Sequence, residues 1–600
     1  MRLINARTLL LREFYGENIP PYAILSHTWG DQEVTFQDWK DHSTAPEKSG
    51  YAKIHGACSQ ALLQGIEWVW VDTNCIDKSS SAELTEAINS MFMYYQQSNV
   101  CFAYLGDVPS AEGPDSDSLL SHVRNSRWFT RGWTLQELLA PEHLTFYAAD
   151  WTRIGSKDRS LSDLISDITG IDRRYLNDRA RVKNSCVAKR MSWLAKRTTT
   201  RVEDMAYCML GIFDINMPLL YGEGVKAFTR LQEEIIKSTN DHTIFCWTWT
   251  PSVPKDWASL LAPSPEQFEC AGNLSRRDLL WEEVSTFSMT NAGLSIRLPL
   301  MYALDSYFVV LEAGPVDEAI DSSSVLTCVQ VKGTMRGNVF YVARSPYPPH
   351  PVALSRSSAG SLRVESLLVM NRISYGPRIT SLSWLTANRY PYQVLFFIVS
   401  NSRALWYRWG FELGRTPPAV EFDSILSTIT LEIKAHPSGN AVGVAMVPAW
   451  VTPSSSYKIS HKSMPTYLFV GVKVMEGHVQ LFSQLFVKED GTHLSHDRYE
   501  ESLYLLREQV LETKKTQQNH CCESLGVSVV IDKPEQTMQS GQHFGFLHLS
   551  ECERSGDKKD LRQPASDRGD SSIASDVAGG DKNALSNGSQ RGIFRLPGLM

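Results

Sequence analysis

The sequence lacks long hydrophobic runs, and this excludes a membrane-spanning helix. Apolar runs such as Gln393–Val399 are the length of a β-strand, far shorter than the roughly 20 residues that cross a bilayer. Arginines and a glutamate interrupt the apolar residues at the N-terminus, and no cleavage site follows them. We therefore expect no signal peptide and predict a cytoplasmic protein.

The sequence also lacks an excess of positive charge and any paired cysteine motif. With 59 Lys and Arg against 66 Asp and Glu, the net charge is −7, so no overall basic field attracts nucleic acid. The 11 cysteines are scattered without Cys-x-x-Cys repeats. Such a pattern indicates reduced thiols rather than a disulfide framework or a zinc site. We predict no nucleic-acid partner.

A chain of 600 residues is too long for one hydrophobic core and predicts several domains. In the first 150 residues, short apolar runs at 21–27, 67–72, 100–105 and 143–147 alternate with stretches of helical spacing. Alternating strands and helices are typical of an α/β module with a mostly parallel sheet. Residues 1–150 are therefore predicted to form this module, with its core at about 22–145.

The rest of the chain changes character twice. Residues 151–250 show helical periodicity and are predicted to be a helical extension of the module. Residues 251–548 contain many short runs of period two between Gly, Pro and Ser, which predicts a β-rich domain of sandwich or barrel type. Residues 549–600 have few large apolar side chains and are predicted to be disordered.

The stretch Arg127–Pro141 places an acid on a mostly apolar helix. Thr130 is the expected N-cap, and Pro141 is expected to end the helix. Trp133 and Glu137 are four residues apart, so one helical face presents the indole and the carboxylate together. A carboxylate in apolar surroundings is costly unless something pairs with it or uses it. Glu137 is therefore the first candidate for a functional residue.

Other polar residues follow the predicted strands at their carboxyl ends, where ligands bind in parallel α/β sheets. We expect them to meet Glu137 at one edge of the sheet. They are Ser26, His27 and Trp29 after the first strand, Asp72, Asn74 and Cys75 after the second, and Asp107 after the third.

Three blocks of this region resemble the fungal heterokaryon-incompatibility (HET) domain. They are Tyr22–Gly30, Trp68–Asp77 and Arg131–Glu137, and the resemblance continues through Ser156–Asp172 and Ala188–Gly224 to cover about the first 245 residues. Asn74 stands where the family often has a second cysteine. The resemblance implies a role in triggering cell death when genetically unlike hyphae fuse, with self-association or a protein partner. The resemblance implies no cofactor.

The HET domain is in turn similar to TIR domains, α/β modules of flavodoxin-like topology, some of which cleave NAD. Their catalytic glutamate lies in a pattern similar to Trp133–Leu138. This similarity implies that Glu137 is catalytic and that NAD is the substrate. The remaining candidates are His27, Asp72 and Cys75 as further catalytic residues, and Ser26, Trp29, Asp107, Arg131 and Trp133 as substrate-binding residues.

Several alternatives remain open at this stage. Glu137 could form a salt bridge with Arg127 or Arg131 instead of reacting. His27, Asp72 and Cys75 could form a Cys-His-Asp nucleophilic site. Asp72 and Asp77 could bind a metal, although two acids in one loop more often cap backbone amides, and we predict no metal site. The module could also act by assembly alone, with Arg131 and Glu137 at an interface.

Overall fold

The computed structural model describes most of the first 370 residues and separate segments after them. The described ranges are 1–41, 45–110, 116–158, 160–277, 287–303, 306–316, 325–336, 339–359, 362–371, 393–401, 409–411, 421–423, 428–432, 434–435, 441–451, 464–475, 478–487, 494–512, 519–522, 527–532 and 542–551. The predicted disordered segment 549–600 lies almost wholly outside them. No helix among the described residues is long and apolar enough to cross a membrane.

A seven-stranded mixed sheet is the centre of the N-terminal region. Its strands are β1 (Arg2–Asn5), β2 (Leu11–Glu13), β3 (Ala23–His27), β4 (Trp68–Trp70), β5 (Val100–Tyr104), β6 (Leu144–Tyr147) and β7 (Arg153–Ser156). They lie in the order β2-β1-β4-β3-β5-β6-β7. The four central strands β4-β3-β5-β6 are parallel, and β1, β2 and β7 add antiparallel edges.

The four parallel strands confirm the sequence-based strand predictions, whereas the edge strands were missed. β1, β2 and β7 are only three or four residues long, too short to leave a clear apolar or alternating pattern in the sequence. Taken in chain order, the parallel strands have the spatial order 2-1-3-4. The direction of winding therefore reverses between β3 and β5, where α/β sheets open a crevice at the carboxyl ends of their strands.

Among the described residues, α-helices of four to 17 residues accompany this sheet and the segment after it. They are α1 (Phe36–Lys40), α2 (Gly50–Leu63), α3 (Ser81–Gln97), α4 (Ser116–Arg124), α5 (Thr134–Leu139), α6 (Ser162–Thr169), α7 (Arg173–Leu176), α8 (Arg179–Asn184), α9 (Val187–Ser192), α10 (Asp204–Tyr207), α11 (Leu210–Phe213) and α12 (Lys226–Ser238). The Ser80 hydroxyl accepts a hydrogen bond from the Glu83 amide and so caps the start of α3. Glu83 itself pairs with Arg2, so α3 is fastened to β1.

The prediction of one continuous helix over Arg127–Pro141 is wrong. The segment forms a 3₁₀ turn, Arg127–Thr130, and then α5, with extended backbone at Arg131 between them. Ser126, rather than Thr130, caps the first turn through the Trp128 amide. The break arises because Thr130 and Gly132 bond to the backbone of Thr198, which interrupts the helical ladder.

The chain beyond α12 is rich in β-strands, as predicted. The strands up to residue 371 are β8 (Leu274–Arg276), β9 (Phe287–Thr290), β10 (Gly293–Tyr302), β11 (Tyr307–Leu311), β12 (Ala313–Pro315), β13 (Val325–Arg336), β14 (Val339–Arg344), β15 (Val352–Ser355) and β16 (Arg363–Val369), with a single helical turn α13 (Arg356–Ala359). β13 pairs antiparallel with β14 and β15, and β14 pairs parallel with β16.

The later strands are β17 (Gln393–Ser400), β18 (Trp409–Phe411), β19 (Glu421–Asp423), β20 (Thr428–Glu432), β21 (Lys434–Ala435), β22 (Ala441–Val451), β23 (Met464–Met475), β24 (His478–Val487), β25 (Asn519–Cys522), β26 (Val527–Asp532) and β27 (Gln542–Glu551). β22, β23 and β24 form an antiparallel meander. The helix α14 (His496–Glu512) packs against it through Leu506 and Val510, which lie in a cluster with Phe469 and Phe482.

The chain divides into two compact units. The first contains the described residues within 1–299, 309–359 and 364–371, and the second contains those within 300–308 and 362–363 and from 393 onward. The candidate site residues all belong to the first unit.

Candidate functional site

Glu137 is a buried carboxyl group hydrogen-bonded to the sheet. It lies in the first turn of α5 and is 8% exposed. The Ser26 hydroxyl, on β3, donates to Glu137 Oε2 and accepts a hydrogen bond of 2.8 Å from Trp128 Nε1. Ser26 and Trp128 are both fully buried. A strand, a 3₁₀ turn and a helix thus hold one carboxylate between them.

Buried side chains also hold α5 at both ends. At its start, Arg197 Nη1 donates to the Thr134 hydroxyl and to the Arg131 carbonyl, each at 2.9 Å. At its end, Lys157 Nζ donates to the carbonyls of Leu138 (3.1 Å) and Pro141 (2.6 Å). These contacts satisfy backbone groups that a short helix leaves unpaired. They fix the position from which Glu137 reaches Ser26.

The surroundings of Glu137 favour its neutral form. Burial raises the pKa of this carboxyl to about 8, against the hydrogen bond from Ser26, and the charge of Asp72 raises it further. Arg131 and the Tyr95 hydroxyl act in the opposite direction. Within the part of the chain that the structure describes, no Lys or Arg forms an ion pair with Glu137. A positively charged group placed close to Glu137 would therefore lower the pKa of this carboxyl and favour its ionised form.

His27 lies among charged groups on the other side of β3. Its Nε2 is 3.6 Å from Glu33 Oε2 and its Nδ1 is 3.9 Å from Asp72 Oδ1, both too long for direct hydrogen bonds. Burial opposes the charge of Glu33, yet contacts with His27, Lys53 and the Gly30 amide lower its pKa to about 2. Glu33 is therefore a carboxylate at every physiological pH.

The strand geometry separates Ser26 from His27. Successive side chains of a strand point to opposite faces of the sheet, so Ser26 and Glu137 lie on one face and His27 on the other. Asp72, after β4, acts on both groups, because it lies 3.9 Å from His27 and its charge raises the pKa of Glu137. The four residues that were predicted to meet thus form two half-sites around the end of β3. One half-site contains Ser26 and Glu137, the other contains His27 on the opposite face of the sheet, and Asp72 acts on both.

Trp29 extends this edge of the sheet. Its Nε1 donates to Asp72 Oδ2 at 2.9 Å, and the Lys78 ammonium lies 3.6 Å from the centre of its ring. The indole is 40% exposed. Trp29 is therefore accessible, although a lysine covers one of its faces.

Several buried polar atoms near these strand ends have no hydrogen-bond partner among the described residues. They are His27 Nδ1, Glu33 Oε2, Thr73 Oγ1 and both amide atoms of Asn74. Asn74 is fully buried. Unpaired buried polar atoms are costly in a fold that uses them only for packing. Their accumulation after β3 and β4 marks this edge as a candidate functional site.

The remaining predicted residues have contacts of a more structural kind. Asp107 accepts hydrogen bonds from the Ser126 hydroxyl (2.7 Å) and the Arg127 amide (2.8 Å), so it caps the 3₁₀ turn. The backbone carbonyl of Arg131 accepts a hydrogen bond from Arg197. The guanidinium of Arg131 acts on Glu137 only through its charge. Trp133 donates to Asp204, outside α5.

The thiol of Cys75 is buried and accepts a hydrogen bond of 3.4 Å from the Val71 amide. Burial raises its pKa to about 12, so the thiolate needed for nucleophilic attack is scarce at neutral pH. Asp77 accepts from the amide and hydroxyl of Ser79 and thus caps its own loop. In the described residues, no group of three His, Cys, Asp or Glu is placed to hold a metal ion.

Comparison with known proteins finds similarity in the region that contains the ends of β3 and β4. The sequence model of the heterokaryon incompatibility protein (HET) family matches residues 22–118. Residues 22–118 therefore form a HET domain. A segment of 225 residues, 36% of this chain, is 49% identical to vegetative incompatibility protein HET-E-1 of Podospora anserina. The chain covers only 16% of that relative's length.

Two further comparisons concern the rest of the chain and the fold. A domain of unknown function (DUF8212) matches residues 226–303, which overlap the end of the helical extension, from α12 onward, and continue into the β-rich region. No solved structure matches the chain.

The HET match contains one half-site and part of the other. Ser26, His27, Glu33 and Asp72 lie inside residues 22–118, whereas Glu137 lies beyond them on α5. The HET fold therefore supplies the strand ends, and the chain that follows brings the buried acid to them.

Sequence reasoning missed four residues of this site. Trp128 and Tyr95 are large aromatic residues that the sequence does not mark as polar, yet both carry polar atoms that reach Ser26 or Glu137. Glu33 and Lys53 are charged residues in a loop and on α2, and their pairing joins segments 20 residues apart. Of these four residues, only Glu33 had a signal in the sequence, namely its position six residues after His27.

Proposed function

We propose that this protein acts in heterokaryon incompatibility, as a cytoplasmic effector that triggers cell death when genetically unlike hyphae fuse. The HET domain and the similarity to a vegetative incompatibility protein support this role. We further propose that the HET domain acts by cleaving NAD at its glycosidic bond. The observation that carries this proposal is the buried Glu137, without an ion-pair partner in the described residues, at the strand ends of an α/β sheet.

The strand order supports a TIR-like reading of this module. The order 2-1-3-4 of the parallel strands is that of flavodoxin-like sheets, which bind ligands at the point where the order reverses. Ser26 and His27 end β3 at this point. Glu137 lies on the helix that joins β5 to β6, so it can approach a ligand from one face of the sheet.

Cleavage of NAD requires little more from the protein than a well-placed carboxylate. The bond between the ribose C1′ and the nicotinamide nitrogen breaks, and the nicotinamide leaves with the bonding electron pair. The ribose acquires oxocarbenium character, which the Glu137 carboxylate stabilises, as carboxylates do in glycoside hydrolysis. Water then adds at C1′ and releases a proton, giving ADP-ribose. The cationic nicotinamide of bound NAD itself favours ionisation of Glu137.

The decisive experiment compares NAD loss by the purified full-length protein and by Glu137→Gln. Glutamine keeps the size and the hydrogen bond to Ser26 but cannot carry negative charge. We expect the variant to lose at least 100-fold in rate, roughly the effect of removing one electrostatic contact to a transition state. Glu234→Gln, at a partly exposed position of α12 where the carboxylate pairs with Lys237, is the matched control. Equal rates of NAD loss in Glu137→Gln and the wild type would refute the catalytic role.

The pH profile gives an independent check. If the carboxylate is the reactive form, kcat/KM rises with pH and levels off near the Glu137 pKa of about 8. The Ser26 hydrogen bond lowers this pKa, so Ser26→Ala is expected to move the midpoint to higher pH. A midpoint unchanged by Ser26→Ala would mean that another group controls the rate.

A further inference from the structure

Two aromatic side chains form a stacked pair at the same edge of the sheet. Tyr104 is the last residue of β5, and Trp151 lies in the turn between β6 and β7. Their ring centres are 5.0 Å apart with planes inclined at 31°. The Tyr104 hydroxyl donates to the Ala149 carbonyl at 2.8 Å, which fixes the tyrosine to that turn. Both rings are only half-buried.

The backbone and the neighbours of Trp151 are unusual for a residue that only fills space. Its φ of 65° lies in the left-handed region, which a bulky side chain rarely adopts. The indole rests on Gly56 of α2, where an added Cβ would come within 2.0 Å of Trp151 Nε1. Strained conformations of this kind concentrate at functional sites, where the surrounding structure holds them in place.

A second glycine lies close to the tyrosine ring. A Cβ added at Gly106 would lie 3.1 Å from Tyr104 Cε1 and 3.8 Å from Cδ1 and Cζ. Any other residue at position 106 would therefore crowd this edge of the ring. Glycine avoids that crowding beside the half-buried tyrosine.

The pair lies where the fold predicts a ligand. Tyr104 is the register partner of His27 across the β3–β5 boundary, so both side chains are on the same face of the sheet. This boundary is the point where the strand order reverses. Next to the rings, His27 Nδ1 is buried and has no hydrogen-bond partner among the described residues. An aromatic surface thus adjoins a polar atom that can bind a ligand.

The other aromatic residues of this edge are less suited to stacking. The Lys78 ammonium covers one face of Trp29, and Trp133 is bound through its indole to Asp204. From these observations we propose that the Tyr104–Trp151 pair binds the adenine base of a nucleotide. The inference rests on the proposed function, because it assigns the adenine half of NAD to the His27 face and leaves the nicotinamide half to Glu137. Flat bases stack on such rings without need for sequence-specific hydrogen bonds.

The test measures binding without turnover, in full-length protein carrying Glu137→Gln. Isothermal titration calorimetry is performed with ADP-ribose, which contains the adenine base, and with nicotinamide mononucleotide, which does not. Tyr104→Leu is expected to raise the dissociation constant for ADP-ribose by about tenfold or more, the usual effect of losing one stacked base contact. It should leave binding of nicotinamide mononucleotide unchanged.

Two further variants keep the test independent of folding. Gly106→Ala retains both rings but places a methyl group against Tyr104, and it should also weaken binding of ADP-ribose. Tyr175→Leu removes the tyrosine of another Tyr–Trp pair, formed with Trp193 at 5.3 Å, and it should not. Unchanged affinity for ADP-ribose in both Tyr104→Leu and Gly106→Ala, or no binding of ADP-ribose by the parent, would overturn the inference.

The outcomes also separate this inference from the proposed reaction. Binding of ADP-ribose that depends on Tyr104, in a protein whose wild type leaves NAD intact, would support the nucleotide site and refute the cleavage. Cleavage of NAD whose KM is the same in the wild type and in Tyr104→Leu would support the reaction and refute the adenine site.

Discussion

Glu137 combines burial, a serine hydrogen bond and the absence of an ion-pair partner in the described residues. The expected alternative, a salt bridge to Arg127 or Arg131, does not occur among them. Burial without a cation is what raises the pKa of this group to about 8. The protonation state of one residue therefore decides whether the half-site with Ser26 is neutral or negative.

This shift makes the stability of the protein depend on pH. In the folded state the pKa of Glu137 is about 8, above its ordinary value of 4.5. Between these values the folded state binds more protons than the unfolded state, so the free energy of unfolding falls as pH rises. We expect Glu137→Gln to be more stable than the wild type at pH 8, with the difference shrinking toward pH 5. Thermal midpoints at both pH values measure it.

The control for this prediction is Glu234→Gln, which changes a partly exposed carboxylate on α12. It should follow the wild type at every pH. A Glu137→Gln midpoint that runs parallel to that of the wild type from pH 5 to pH 8 would show that Glu137 ionises normally in the folded state.

At the scale of elements, the site depends on how α5 and β3 are held. α5 has six residues and could not persist alone, since isolated helices of that length are unstable in water. Arg197 and Lys157 bind its two ends, and both come from segments distant in sequence. The helical extension therefore contributes to the site, because Arg197 belongs to it.

The contact between α11 and α3 shows how closely this extension is packed. A Cβ added at Gly211 of α11 would come within 2.0 Å of the Phe92 Cβ on α3. Gly211 lies inside α11, where its lack of a side chain lets the two helices touch. We expect Gly211→Ala to destabilise the protein by about 1–3 kcal/mol through overpacking.

Chemical denaturation followed by circular dichroism measures this effect. Gly30→Ala is the matched control, because its added methyl would meet only Glu33 Oε1 at an ordinary 3.8 Å. If both variants unfold at the same denaturant concentration as the wild type, the α11–α3 contact is looser than described.

At the scale of the whole molecule, chemistry and assembly make different predictions. If the HET domain acts only by self-association, Arg131 and Glu137 contribute through an interface. Glu137 is hydrogen-bonded to Ser26 and only 8% exposed, so it offers too little surface to contribute much to a protein–protein interface. We therefore expect Glu137→Gln to abolish NAD cleavage while leaving the oligomeric state of the full-length protein unchanged.

Multi-angle light scattering at matched concentrations gives the oligomeric state of both proteins. A Glu137→Gln protein that loses its assembly together with its activity would place Glu137 at an interface. Loss of cell-killing activity with assembly intact would show that association alone is insufficient.

The sequence by itself determined the local elements and the family. Apolar runs of strand length and helical spacing predicted β3, β4, β5 and β6, because burial of one continuous strand leaves a signal in consecutive residues. Three motif blocks indicated the HET domain. Glu137 was recognised as unusual from its apolar neighbours alone.

Only the tertiary structure decided what these residues face. Which face of β3 carries Ser26 or His27 depends on the register with β5, and the break before α5 depends on Thr198, far along the chain. The tertiary structure likewise decides that the thiol of Cys75 is buried. It also brings together Tyr104 and Trp151, which are 47 positions apart in the sequence. Charge, accessibility and stacking arise from contacts between distant segments, and no local pattern encodes them.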